Sequence, residues 1–462
     1  GSDLWDLLLR LRTIEILLRT ILLVIVVTAA SAAIAIPMAW ITTRTDLPSR
    51  RVWAILASLP LVIPSYIGAF LVMVALGPRG VLQQFLEGLF GVDRLPDIYG
   101  FSGAAITLTL LSYPYILLPV RAALNRIDPS FEETSRSLGY GSWRTFRLVV
   151  LPLLRPAVST GCLLVALYTL SDFGAVSMMR YETFTWAIYL QYNSALDRTL
   201  AAGLSLVLIL FTTVILLGEA RTKDRSSYHR STSGTASYPT LSHLGLWRWP
   251  AIIFCATIVT LSLALPLSIL AYWTTRGLFA GESIPYLWST SANSLYVSAL
   301  AAAAALLAAI PVALLAARYT NRITAILERS SYIGFALPGI TVALALVFFT
   351  SQFTPYLYQT SGLLIFTYVV LFLPAALGPV RTSIMQMNPR IEEAARSLGK
   401  GPMQVLYSIT LPALRPGLLA GAALVFLLAM KELPATLILG PIGFKTLSTS
   451  IWSTASEAFF AQ

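Results

Sequence analysis

Residues 392–412 read EEAARSLGKGPMQVLYSITLP, a polar interruption between two strongly apolar stretches, and residues 132–152 read EETSRSLGYGSWRTFRLVVLP. A shift of 260 positions superposes the two without a gap: Glu132 on Glu392, Glu133 on Glu393, Gly139 on Gly399, Gly141 on Gly401, and Leu151-Pro152 on Leu411-Pro412. The flanks keep the same shift, with Pro119-Val120-Arg121 on Pro379-Val380-Arg381 and Arg155-Pro156 on Arg415-Pro416. An ungapped offset of this length marks an internal duplication.

The chain around these loops is 56% hydrophobic and 11% charged, with a mean hydropathy of +0.75. A soluble chain carries about 25% charged residues, so this is a membrane protein. Uncharged runs cover 20–43, 52–78, 98–120, 199–218, 249–275 and 330–380. The last exceeds twice the ~20 residues needed to cross a bilayer, and SQFTPYLYQTSG at 351–362 divides it. With 157–178, 292–317 and 416–438 the sequence predicts ten crossings. Lipid leaves no partner for open backbone groups, so runs of this length predict an all-α membrane protein, a polytopic helical bundle.

Most of the 32 Lys and Arg fall in 44–51, 121–156, 219–248, 318–328 and 381–415. The positive-inside bias therefore puts both duplicated loops in the cytoplasm. An even number of crossings separates them, which makes the two repeats parallel and related by a pseudo-two-fold axis. The net charge of +11 reads as topology; a nucleic-acid partner would want a basic soluble domain, and there is none. The predicted boundaries are a first repeat at 1–218, a Ser/Thr-rich cytoplasmic linker at 219–248, and a second repeat at 249–462. AIPMAWITTRT at 35–45 matches AIPVALLAARY at 309–319, yet only the latter has a full span before it, and nothing in the second half matches 199–218. The first repeat thus lacks its first span and the second its last, so a full-length parent is expected to carry twelve, with residue 3 and Gln462 both outside.

Cys162 and Cys255 lie in apolar spans, and His229 and His243 in the linker. No CxxC, HExxH or GxxxxGK[ST] pattern occurs, so the chain offers no resident metal set, no nucleotide-cradling loop and no acid–base cluster of an enzyme. Gly1-Ser2 reads as an expression scar.

Each loop opens on an N-cap and a helix-initiating proline, Asp128-Pro129 and Asn388-Pro389. Glutamates 132, 133, 392 and 393 sit in the first turn, where they complement the helix dipole. Ser137-Leu138-Gly139 and Ser397-Leu398-Gly399 end the helix, the glycine free to turn left-handed. A cytoplasmic helix of about three turns is predicted, then a second segment closing at Leu-Pro. By itself such a loop could be a well-capped surface helix.

Glu-Ala-Ala, three residues, Gly, nine residues, Ile-x-Leu-Pro resembles the signature of permease subunits of binding-protein-dependent ABC importers. Glu393-Ala394-Ala395, Gly399, Ile409 and Leu411-Pro412 match it throughout; the first copy has Thr134-Ser135 and Val149 instead. The resemblance implies that each loop is a coupling helix seated in a cleft of a cytoplasmic ATPase, with Gly139, Gly141, Gly399 and Gly401 allowing close approach. It occurs twice because two ATPase copies must be engaged. Two halves in one chain, with LSDFGAVSMMRYETFTWAIY (170–189) and MKELPATLILGPIGFKTLSTSIW (430–452), look most like the ferric-iron importers, the thiamine importers being the other fused group. The resemblance further implies ABC importer permease architecture, alternating access, and Fe3+ handed over by a periplasmic or extracellular iron-binding protein. It implies ATP-Mg on the partner subunits, no cofactor in this chain, and a bacterial inner membrane location. A secondary transporter would also show repeats, but has no use for paired docking loops.

Asp172 and Glu432 stand apart as carboxylates inside spans, and they too differ by 260. Such groups are costly in lipid and usually line a pathway, and hard cations prefer oxygen ligands. The two are therefore candidate transient iron ligands, with Ser171 and Lys431 beside them on the substrate pathway. The alternative is structural: each could cap a broken helix, at Phe173-Gly174 and Leu433-Pro434.

Overall fold

The structure, a computed structural model, describes residues 11–78, 80–91, 93–125, 127, 129–193, 198–223, 242–279, 285–318, 321–387 and 389–456. The described residues are helical with no strand, only an isolated bridge between Thr45 and Ser242. Among them, eight helices are long and apolar enough to cross a membrane, nine if the bent pair Pro402–Ala413 and Arg415–Met430 is one span. The remaining predicted crossing is a shorter apolar helix, Gly339–Phe353. It is short because Pro338 forces an extended backbone on Leu337 (φ −86°, ψ 134°), so the charge-free run breaks between Arg322–Ala336 and Gly339–Phe353. Pro64, also extended, likewise splits the region 52–78 before Ser65–Leu76.

The chain separates into two compact units, 1–282 with 460–462, and 283–459. In the first, the helix Leu11–Arg44 packs against Pro114–Leu124 and Leu151–Ser171; in the second, Pro285–Arg318 packs against Ser361–Gln386 and Arg415–Met430. Both long helices have 34 residues, carry an internal proline (Pro37, Pro311) and end on an arginine. Their ends match at an offset of 274 rather than 260. The first unit is therefore longer in between, where it inserts the helix Val81–Phe90.

Small residues let these helices meet backbone to backbone. A Cβ on Gly161 would lie 2.7 Å from the Cα of Ile116; on the matched Gly421 it would lie 3.1 Å from the carbonyl oxygen of Ala376. Gly161→Val should therefore overpack the first unit and destabilise it by about 1–3 kcal/mol, with a smaller loss for Gly421→Val. Thermal melting of the purified variants in detergent checks this; an unchanged transition for Gly161→Val would mean the two helices can part freely.

Leu265–Phe279 buries Ile269 against Leu71 and Ala75 of Ser65–Leu76, flanked by Phe70, Val74 and Trp273. A helix that chain order groups with the second repeat thus rests in the first compact unit. Its approach is strapped to the end of the first long helix. Leu244 donates its N–H to Asp46 Oδ1 at 2.9 Å, and His243 Nδ1 lies 3.0 Å from Oδ2. The Leu244 N–H, then His243, hold the Asp46 carboxyl below the usual range. The strap is thus in place above the ordinary carboxylate pKa and is released as pH falls through the lowered value. Asp46→Ala should speed limited proteolysis beside residues 242–244 at neutral pH; an unchanged rate would show that the backbone bridge alone holds the strap.

Candidate functional site

The duplicated loops form matching short helices, Pro129–Ser137 and Pro389–Ser397, of nine residues each. Gly139 and Gly399 follow with φ of 83° and 85°, the left-handed conformation that ends both. The capping residues Asp128 and Asn388, and the side chains of Glu132 and Glu133, lie outside what is described. In the first loop Ser135 is buried and its Oγ lies 2.9 Å from Thr145 Oγ1. In the second, Ala395 is buried at the same place, while Glu393 and Ala394 are exposed.

The tips face outward. Leu138 is 71% exposed and Leu398 85%, the matched leucines before the two left-handed glycines. Among the described residues, a Cβ added at Gly139, Gly141, Gly399 or Gly401 would meet nothing within 4 Å, so the space over each glycine is open to them. Ser137 is exposed as well, whereas Leu151, Pro152, Ile409, Leu411 and Pro412 are half-buried at the loop bases. Met403 and Tyr407 are exposed on the same loop; an apolar residue in a polar segment is their only signal in the sequence.

The second segment of each loop does not close at Leu-Pro. Five-residue π-helical turns, Phe146–Val150 and Leu406–Thr410, run directly into Leu151-Pro152 and Leu411-Pro412. A proline lacks an N–H, and its ring would strike the carbonyl four residues back in α geometry; a widened turn relieves both. The same device, Thr260–Ala264, precedes Leu265-Pro266. In the first unit the helix therefore continues to Ser171, and in the second it bends by 69° only after Ala413.

Glu392 turns inward. Its Oε1 accepts from Thr410 Oγ1 at 2.8 Å, and its Oε2 lies 3.2 Å from Nη2 of Arg318. Neither partner stands out in the sequence: Arg318 lies outside the repeated loop, and Thr410 is the variable position of Ile-x-Leu-Pro, with a valine in the first copy.

Each intramembrane carboxylate sits at a break in its own unit. Asp172 follows Leu151–Ser171, and its Oδ2 accepts the N–H of Ala175 at 2.8 Å and of Val176 at 3.4 Å. Thr185 Oγ1 donates to the Asp172 carbonyl at 2.6 Å. Ser171 Oγ donates back to the Tyr168 carbonyl. Glu432 follows Lys431, past the end of Arg415–Met430, and its Oε1 accepts the Ala435 N–H at 3.2 Å. Thr436 and Ser448 hydroxyls both donate to its carbonyl at 2.9 Å. Where the first unit has Ser65, the second has Gly339, whose added Cβ would lie 2.7 Å from Glu432 Oε1. The longer acid fills the room that the glycine leaves. Helix capping thus accounts for the contacts of both acids, and among the described residues no group of three or more His, Cys, Asp or Glu gathers to hold a metal.

The family described as binding-protein-dependent transport system inner membrane component matches residues 31–220 and 309–461, once in each repeat. The Fe(3+)-transport system permease protein FbpB 2 of Haemophilus influenzae is 34% identical over 99% of this chain and 87% of its own length. The ferric transport system permease protein FbpB of Actinobacillus pleuropneumoniae is 25% identical over 88% of this chain, which spans 62% of that protein. The molybdenum transport system permease protein ModB of Escherichia coli is 30% identical over 39% of this chain and 80% of its own length.

Proposed function

Because the chain belongs to the binding-protein-dependent transport system inner membrane components, we propose that it is the membrane-spanning subunit of an ATP-driven importer of ferric iron. The observation that carries the substrate is the 34% identity, over 99% of the chain, to a relative named for Fe(3+) transport. Relatives named for molybdenum resemble less than half of it.

In this reading an iron-binding protein delivers Fe3+ at the outer face of a bacterial inner membrane. Two copies of a cytoplasmic ATPase seat themselves on the loops at Leu138-Gly139 and Leu398-Gly399, where exposed leucines and open glycine backbone support a tight fit. ATP-Mg binds and is hydrolysed in those partners; this chain contributes no catalytic group. Closure of the ATPase pair displaces both loops, and each three-helix core follows as a rigid body to alternate access. Asp172 and Glu432 hold the breaks in the spans that such motion would strain.

The test is ATP hydrolysis by the complex in proteoliposomes, with the binding protein added empty or loaded with ferric iron, molybdate or thiamine. Stimulation by the iron-loaded form alone is expected. Equal or greater stimulation by another cargo would reassign the substrate, and no stimulation by any would remove the importer reading.

A further inference from the structure

The second unit fastens its cytoplasmic loop through an inward-facing carboxylate. That of Glu392 takes a hydroxyl from Thr410 at 2.8 Å and faces the guanidinium of Arg318 at 3.2 Å. The Arg318 and Glu392 side chains are only 20% and 14% exposed. The three residues sit on three separate elements: the loop helix Pro389–Ser397, the last turn of Pro285–Arg318, and the π turn leading into the next span. At the matched positions the first unit has Arg44 and Val150. Arg44 donates to the carbonyls of Leu124 and Ile127 at 2.8 and 3.1 Å, and a valine has no hydroxyl to donate. Among the described residues of the first loop, the Ser135 and Thr145 hydroxyls pair at 2.9 Å.

We propose that Glu392 is a positioning residue of the transport cycle, a strut that passes displacement of the second loop to Arg318 and thereby to the long helix Pro285–Arg318. The proposal rests on the reading that an ATPase docks on this loop. Adjacent glutamates divide the work: Glu393 is exposed, whereas Glu392 points into the protein. The carboxylate is held on two sides, by the Thr410 hydroxyl bond at 2.8 Å and by the Arg318 ion pair at 3.2 Å, and both contacts are largely shielded from water, which leaves it little slack. Arg318 ends a helix about 50 Å long at 1.5 Å per residue, and that helix packs along both Ser361–Gln386 and Arg415–Met430. Pulling its end moves the whole core of the unit.

The experiment measures ATP hydrolysis and uptake of labelled ferric iron together, in proteoliposomes holding the full chain with its ATPase subunits. Glu392→Gln should assemble and hydrolyse ATP normally, while iron moved per ATP falls about tenfold, a typical coupling between sites. Arg318→Met should do the same, and the double variant should be no worse than either single one, as expected for one shared interaction. Thr410→Val, which copies the first unit, should lower the ratio by a smaller factor, and it decides the matter if the charge variants fail to insert. An unchanged ratio in Glu392→Gln, or in Thr410→Val where that variant decides, would overturn the strut. Loss of the ATPase from the Glu392→Gln complex would also overturn it, by placing Glu392 on the docking face. The docking reading has its own separate check in tryptophan variants at the loop glycines.

Discussion

Gly139→Trp or Gly399→Trp is expected to abolish transport while leaving the protein inserted and folded. Both glycines are left-handed, so any side chain costs roughly 1–2 kcal/mol of backbone strain there, which a large membrane protein can absorb. Among the described residues nothing beyond the adjoining ones lies within 4 Å of a Cβ at either position, so no clash there adds to that strain. An indole at the tip would instead occupy the volume that a docked ATPase needs. Gly139→Ala and Gly399→Ala carry the strain without the bulk and should retain most activity. Uptake in vesicles, read beside ATPase copurification, checks the series; normal transport by either tryptophan variant would make that loop a plain surface helix.

The second large effect is expected at Asp172. Asp172→Ala removes the cap of Gly174–Met178, worth about 1 kcal/mol and up to 2. That loss is the bonding of the Ala175 and Val176 N–H groups, and because both are buried it lies at the upper end of this range. It should reduce the yield of folded protein. Asp172→Asn keeps an oxygen acceptor in the same place and should assemble and import close to normally. Glu432→Ala and Glu432→Gln should follow the same order, more mildly, since one N–H rather than two reaches Glu432 Oε1. Intact assembly with sharply slowed iron import in Asp172→Asn would show that the charge itself is needed, and would return the two acids to the cation pathway.

The repeated loops were legible because their information is local. Proline, glycine and the first-turn acids fix where a helix starts and stops, and the left-handed glycines at 139 and 399 follow from that punctuation. What depended on distant partners was not legible. Nothing in the order Glu392-Glu393 says which acid faces inward; that is decided by Arg318 and Thr410. The span 249–275 was grouped with the second repeat by chain order, whereas its packing follows the fit of Ile269 against Leu71 and Ala75. Hydropathy also gives no break between 330 and 350, because an average over composition does not register one extended residue before Pro338. The Leu-Pro pairs show the opposite error: proline was taken as a stop, and a single widened turn was enough to carry the helix through it.

The resting place of Gly245–Phe279 bears on why one gene would carry both halves. This helix follows the linker in the chain yet packs in the compact unit that precedes it, as one subunit's arm embraces a neighbour. Were the coding sequence cut within 224–241, the first product would leave the face around Leu71 and Ala75 bare until the second arrived to cover it. Joined in one chain, the two parts stay at a high effective concentration, on the order of millimolar for a short linker, so they meet without a search through the bilayer. Fusion thereby fixes an equal ratio of the two halves and spares the first from exposure while it waits.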